Sequence, residues 1–274
     1  MEQEESVQPA RPFLKWAGGK TQLLDELCSR VPVAFNRYYE PFGGSAALLF
    51  SLRPERATYA DANADLVNCF RVVKDDVESL IRHLGQHRNE SDYFYDTRAQ
   101  DPQTLSPVER ASRFIFLNRT CFNGLHRVNA RGQFNTPFGR YANPRICDSA
   151  NLRAASGLLQ SVELLDCDYR DALVLPEAGD FVYLDPPYVP VSQFADFKRY
   201  TKEQFREADQ MGLAELFRAL DSRGCKVMLS NSETPAVREM YKGFRMDVVM
   251  AKRLINRNAQ GRGYVPELLI RNYD

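Results

Sequence analysis

Asp185-Pro186-Pro187-Tyr188 is the run of this chain in which residue type and spacing say most about chemistry. A carboxylate, a backbone carbonyl and an aromatic ring converge there within four residues. Asp185 and the Pro186 carbonyl can accept both N–H bonds of an exocyclic amine, while Tyr188 can stack on the planar system that carries it. Ahead of them, Phe181-Val182-Tyr183-Leu184 is an apolar, β-branched and aromatic run with the pattern of a buried strand. The two prolines end it, because neither can donate to a sheet ladder. The acid therefore falls at the carboxyl end of a strand, where ligands bind in open α/β sheets. A strand ending in a functionless polar turn has the same outline, but four such residues directly behind an apolar run argue against it.

Two earlier stretches supply partners for such a site. Tyr38-Tyr39-Glu40-Pro41-Phe42-Gly43-Gly44-Ser45 reads as a strand, a glycine turn and a helix start. Gly43 and Gly44 let the backbone approach a ligand closely, and Ser45 is placed to cap the helix. About twenty residues on, Ala57-Thr58-Tyr59-Ala60-Asp61 is a second short strand ending in an acid. That spacing suits a carboxylate holding ribose hydroxyls in a nucleoside-binding doubly wound fold. Nearer the N-terminus, Trp16-Ala17-Gly18-Gly19-Lys20-Thr21 precedes a helix expected over 21–27. A phosphate-loop reading of its GGKT ending fails, since Leu14 stands where the first glycine belongs. The sole tryptophan, Trp16, is instead a candidate wall for a small charged ligand, with Lys20 positioned to meet a carboxylate.

The elements that must hold these residues follow from the rest of the chain. Strand and helix alternate up to residue 62 and again from 149, with strands expected at 162–169, 226–231, 244–250 and 267–273. Between them the apolar spacing is helical, and Ser106-Pro107-Val108-Glu109 carries the serine, N1 proline and early acid of a helix start. The expectation is a sheet domain in two parts, 1–62 and 148–274, interrupted by a helical insert over 63–147. A lid-like loop is expected over 189–200, then a helix opened by Thr201-x-x-Gln204. Residues 1–11 read as a disordered leader.

Lys plus Arg and Asp plus Glu both number 36, so net charge excludes nothing, but its distribution is uneven. From Arg110 to Cys147 there are seven arginines (Arg110, Arg113, Arg119, Arg127, Arg131, Arg140, Arg145) and no Asp or Glu, the balance of a phosphate-facing surface. A second basic loop free of acids runs over 252–262. Six scattered cysteines and three histidines make a metal centre an unlikely reading, and His83 and His87 are taken as a solvated helix face. Without a secretory leader or a long apolar span, the chain is expected in the cytoplasm.

Asp-Pro-Pro-Tyr after a buried strand resembles the amino-methyltransferases that use S-adenosylmethionine, and Asp at its first position implies adenine in nucleic acid. The stretch around Trp16 and Lys20 looks like the cofactor motif of Dam-type DNA adenine methyltransferases. The resemblance is closest in the insert: Asn123-Gly124-Leu125, Arg127-x-Asn129, Arg131-Gly132-x-Phe134-Asn135 and Pro137-Phe138-Gly139-Arg140-Tyr141. It extends from about residue 13 to 273, in the motif order of the α group of these enzymes.

The family likeness implies a Rossmann-like α/β methyltransferase sheet with an inserted helical DNA-recognition subdomain. It implies S-adenosylmethionine held by Trp16, Lys20, Gly43, Asp61 and Asp185, with Asp168 and Tyr169 meeting the cofactor's own adenine. Asp185, Pro186 and Tyr188 would be catalytic. Arg127 would read a guanine, and Phe122 would take the place of an intercalating aromatic, where the best-known members have Tyr. Asn123, Leu125, Asn129, Pro137, Arg140 and Tyr141 would line duplex DNA, and Arg119 of the basic run is counted with them. The implied reaction is N6 methylation of a flipped adenine, within GATC, by an enzyme that is a monomer on DNA. Two alternatives stay open: methylation of RNA or of a protein amide, which needs no arginine-rich insert, and a DNA-binding module without catalysis, which would not need Asp185.

Overall fold

The computed structural model describes residues 9–189, 205–252 and 264–274. All but Val189 of the loop expected over 189–200, the Thr201-x-x-Gln204 helix start, all but Lys252 of the basic loop expected over 252–262, and residues 1–8 lie outside the described residues. Along the chain run α1 (Leu24–Cys28), β1 (Tyr38–Glu40), α2 (Ala47–Leu52), β2 (Ala57–Asp61), α3 (Ala64–Asp75), α4 (Val77–Leu84), α5 (Ser91–Ala99) and α6 (Pro107–Thr120). They are followed by α7 (Ser149–Leu159), β3 (Val162–Asp166), α8 (Tyr169–Ala172), β4 (Phe181–Leu184), α9 (Glu207–Ser222), β5 (Lys226–Ser232), α10 (Pro235–Met240), β6 (Arg245–Lys252) and β7 (Tyr264–Arg271). Among the described residues, no helix is long and apolar enough to cross a membrane.

The strands form a single sheet in the order β3-β2-β1-β4-β5-β7-β6, parallel from β3 to β5 and antiparallel at β7 and β6. Strand order reverses between β1 and β4, so these neighbours leave a crevice at their carboxyl ends. Side chains alternate between two cores, as a two-residue period requires. Tyr38, Tyr59, Phe181, Tyr183 and Met228 face one core with α1, α2, α3 and α7, whereas Tyr39, Val182, Leu184, Val227 and Leu229 face another with α9.

The helices of the insert do not stand apart from the sheet. Phe70 of α3, Leu80 and Leu84 of α4, and Phe114 and Ile115 of α6 belong to the same core as Tyr59 and Tyr183. A smaller cluster of Phe94, Phe116, Leu117 and Cys121 lies beside it. The start of α6 is capped as its sequence requires: Glu109 Oε2 accepts from the Ser106 backbone N–H at 2.9 Å, with Pro107 in the first turn.

Four local expectations are corrected. The N-cap of α2 is Ala46, in a left-handed conformation, and no side chain among the described residues caps it, so Ser45 does not serve there. The leader does not reach Arg11, whose N–H donates to Asn151 Oδ1 (3.0 Å) and whose guanidinium pairs with Asp148 (2.8 Å). α9 begins at Glu207, and Phe205 before it packs on Phe42 and Tyr169 instead of lying on the helix. His87 is not on a solvated helix face: α4 ends at Leu84, and the imidazole stacks on Phe116 (4.4 Å, 9°) between Tyr93 Oη and Ser112 Oγ.

Candidate active site and recognition hairpin

The carboxyl ends of the parallel strands gather the acids. Glu40 closes β1, Asp61 closes β2, and Asp185 follows β4 directly. The 16–20 loop ties them together. A Cβ on Gly44 would stand 2.8 Å from Trp16 Cδ1, and one on Gly19 would stand 3.2 Å from Ser45 Oγ, so this loop lies on the glycine turn. At its far end the Lys20 ammonium donates to Gly18 O (2.8 Å), pairs with both Asp185 oxygens (2.7 and 2.8 Å) and sits 4.8 Å from the centre of the Tyr188 ring. Lys20 was expected to face a ligand's carboxylate; it is bound to the protein's own. The Asp185 side chain keeps 20% of its surface exposed.

The glycine turn is shaped from inside. A Cβ on Gly43 would lie 2.1 Å from Tyr59 Cε2, so Gly43 is required by the ring beneath it, a reason the sequence does not reveal. Gly44 has φ +50°, the left-handed region that favours glycine. Its N–H donates to Asp61 Oδ2 at 3.0 Å, while Asn63 N–H donates to Oδ1 at 2.9 Å. Burial raises Asp61 to about 6 even though these two donors pull the other way. Glu40 is more extreme: burial pushes it up to about 8, against the hydrogen bonds from the Tyr38 hydroxyl and the Leu49 N–H.

Asp168 and Tyr169, the residues the family likeness assigns to the cofactor's adenine, are both held by contacts within the protein. Asp168 caps α8 through the Arg170 N–H (2.9 Å) and pairs with the Arg170 guanidinium (3.2 Å). Tyr169 is buried, its ring stacked on Phe42 at 4.8 Å and covered by the Arg170 guanidinium at 4.6 Å. Its face is thus core packing, although its buried hydroxyl has no hydrogen-bond partner among the described residues. A carboxylate able to take ribose hydroxyls, a glycine turn at a sheet crevice and that orphaned hydroxyl form a set a nucleoside-bearing methyl donor fits.

The Asp-Pro-Pro-Tyr turn is clamped by residues that belong to none of the sequence motifs. Gln210 Nε2 donates to Pro187 O (2.7 Å), Asn231 Oδ1 accepts from Val189 N (3.2 Å), and Ser232 Oγ donates to Val189 O (2.8 Å). The Tyr188 hydroxyl donates to Glu267 Oε2 at 2.7 Å. Among the described residues, none donates to the Pro186 carbonyl. Gln210, Asn231 and Ser232 are buried polar residues, and the polar run Ser230-Asn231-Ser232 after the apolar start of β5 is the available signal.

Beyond α6 the chain turns back on itself as a hairpin, with bridges Cys121–Phe138 and Val128–Phe134. Asn129 Oδ1 accepts from Arg131 N and Gln133 N at its tip, so that side chain shapes the turn. Phe122, Asn123, Arg127, Pro137 and Arg140 are exposed, while Leu125, Asn129 and Tyr141 are half-buried. Tyr141 lies under Lys15 Nζ (4.9 Å) and against Gly139. Arg127 is steadied by Asn135 Oδ1 at 2.8 Å. Asn118 binds the Lys15 backbone at both N (2.8 Å) and O (2.7 Å), and His126 stacks on Trp16 at 5.2 Å. Recognition hairpin and 16–20 loop are therefore in direct contact.

Arg119 is the exception among the expected DNA residues: its guanidinium donates to Phe13 O at 2.6 Å inside the protein. Arg113 is buried against the Thr97 and Arg98 carbonyls, Arg110 pairs with Asp65, and Arg145 with Asp148. Arg127, Arg131 and Arg140 remain as the exposed cations of the run without an acidic partner among the described residues.

A sheet with its switch point beside an Asp-Pro-Pro-Tyr turn, joined to a basic hairpin, fits the class of nucleic-acid amino-methyltransferases. Residues 16–255 match the family described as D12 class N6 adenine-specific DNA methyltransferase, and the chain belongs to that family. It is 42% identical over 271 residues to a type II methyltransferase, M1.LlaDCHI, of Lactococcus lactis subsp. cremoris, covering 96% of this chain and 95% of that one. It is 41% identical to the type II methyltransferase M.MjaIII of Methanocaldococcus jannaschii (96% and 99% covered) and 38% identical to a DNA adenine methylase of Serratia marcescens (94% and 97%). The protein is thus an adenine-specific DNA methyltransferase.

Proposed function

We propose that this enzyme takes its methyl group from S-adenosylmethionine and places it on the N6 amine of an adenine turned out of duplex DNA, within the sequence GATC. Asp185 carries the reading: it ends β4 at the crevice beside β1, partly exposed, in contact with the loop that covers the glycine turn. When bound, the cofactor supplies a methyl group on a sulfonium, already an activated leaving group. Asp61 accepts from its ribose hydroxyls, and Trp16, with Gly44 beneath it, walls its other side. Asp185 and the Pro186 carbonyl accept the two amine hydrogens and so aim the nitrogen lone pair at the methyl carbon. As positive charge grows on that nitrogen, the carboxylate stabilises it. Tyr188 stacks on the extruded base.

Residues 63–147 act as the recognition insert, on which Arg127 reads a guanine, Phe122 fills the gap left by the flipped base, and Arg140 meets the backbone. The enzyme works on DNA as a monomer. Transfer of a tritiated methyl group to duplexes that contain GATC, or the same site with one base pair changed, tests the reading. Label is expected in the GATC duplex alone, and none with Asp185→Ala, although that variant still binds DNA. Equal labelling of all duplexes would refute the site assignment, and a near-normal rate for Asp185→Ala would refute the role of the carboxylate.

A further inference from the structure

Tyr188 lies at the end of the Asp-Pro-Pro-Tyr turn, and its ring can serve as a platform only if its plane is fixed. Three features fix it. The backbone after it is held by Asn231 and Ser232, and the turn before it by Gln210, which Asn231 Nδ2 orients in turn at 3.1 Å. The ring has the Lys20 ammonium over it at 4.8 Å. The hydroxyl, at the far end of the lever, is tethered to Glu267. Glu267 belongs to β7, where it pairs with Ser232 in the antiparallel ladder, so the strand inserted between β5 and β6 is what delivers a carboxylate to this place.

We propose that Glu267 is a positioning residue for methyl transfer: its carboxylate anchors the Tyr188 hydroxyl and so sets the ring against which the target base stacks. The inference rests on the reading of Tyr188 as that platform. Phenol-to-carboxylate hydrogen bonds are short and directional, and 2.7 Å is the distance expected of one. Burial, followed by the nearby Asp185 and Glu267 charges, holds the Tyr188 hydroxyl far above its ordinary range, so it stays protonated and remains the donor. A ring already oriented in the free enzyme loses no rotamer freedom when the base arrives, and the reacting nitrogen then meets the Asp185 carboxylate in register.

The test measures the single-turnover rate of methyl transfer, the affinity for the duplex, and the fluorescence of a duplex with 2-aminopurine at the target position. Glu267→Ala and Tyr188→Phe are each expected to slow transfer about tenfold, the scale of one charge-assisted hydrogen bond, with duplex affinity kept. In both, 2-aminopurine fluorescence should rise, because a base stacked on a loosened ring is less quenched. Glu267→Gln, whose amide oxygen still accepts, should restore most of the rate, and the double variant should be no slower than either single one. Wild-type rates for Glu267→Ala and Tyr188→Phe, with Tyr188→Ala inactive, would overturn the inference and leave the proposed function standing. A normal rate for Tyr188→Ala would overturn the platform reading itself. An additive double variant, or Glu267→Gln as slow as Glu267→Ala, would show that the tether is not what Glu267 contributes. Tyr188→Phe is nearly isosteric, so it decides the matter if Glu267→Ala fails to fold.

Discussion

Arg119 and Arg127 have the same side chain eight residues apart, yet they have opposite work to do. Arg127 is exposed at the hairpin and braced by Asn135, which leaves it accessible for the base-reading role proposed above. Arg127→Ala is expected to cost about 1–3 kcal/mol of discrimination at one base pair, measured as the ratio of kcat/KM for GATC over a singly altered site. Arg119 instead ties α6 to the 13–16 segment through Phe13 O, and its half-buried guanidinium is not available to phosphate. Arg119→Ala should therefore lower the urea midpoint while leaving unchanged the slope of log affinity against log salt. A slope that falls by about 0.9, the value for one lost phosphate contact, would place Arg119 on DNA after all.

At the scale of elements, the turn between β1 and α2 is built by contact with β2 beneath it. Gly43→Ala would drive a methyl group into the Tyr59 ring, whose hydroxyl is itself fixed to Gly44 O at 2.9 Å. The ring cannot swing away cheaply, so a loss of about 1–3 kcal/mol is expected on chemical denaturation. Gly157 in α7 provides the contrast, since a Cβ there meets nothing within 4 Å. Gly157→Ala should stabilise by about 0.4–1 kcal/mol. The strands and the longer helices were legible in their apolar periodicity, whereas α5, α8 and α10 were not, and the α6 cap was visible in four letters. The reason for Gly43 was not, because Tyr59 stands sixteen residues away and meets it only when β2 is laid beside β1.

For the molecule as a whole, buried ionisable groups set how stability follows pH. Burial raises Glu40 to about 8 and Asp61 to about 6, so the native state holds their protons more tightly than the unfolded chain does. Their stabilisation is complete at low pH and is lost as pH rises, for Asp61 by about 6 and for Glu40 through about 8. Burial lowers His87 and His126 to about 4, so theirs is complete above the ordinary histidine value of 6.5 and is lost below it. Above 6.5, Glu40 alone of the four still titrates. The Tm of the unliganded enzyme is expected to fall between pH 6.5 and 8, and Glu40→Gln should flatten that fall. A Glu40→Gln enzyme with the wild-type pH profile would show that Glu40 is ionised in the fold.

What the linear chain determined by itself was the list of reactive groups and the elements beneath them: an acid behind a buried strand, a glycine turn, a second acid about twenty residues on, and a basic hairpin. Each is a local pattern, written in residues that lie close together, and each survived folding. Tertiary structure alone decided who meets whom. It gave Lys20 to Asp185 and Glu267 to Tyr188, and it drew Arg110, Arg113 and Arg119 inward by bringing an acid or carbonyls to them. A count along the chain registers charge but not its neutraliser, because the partner can stand a hundred residues away, as Phe13 does from Arg119, and only packing brings the two together.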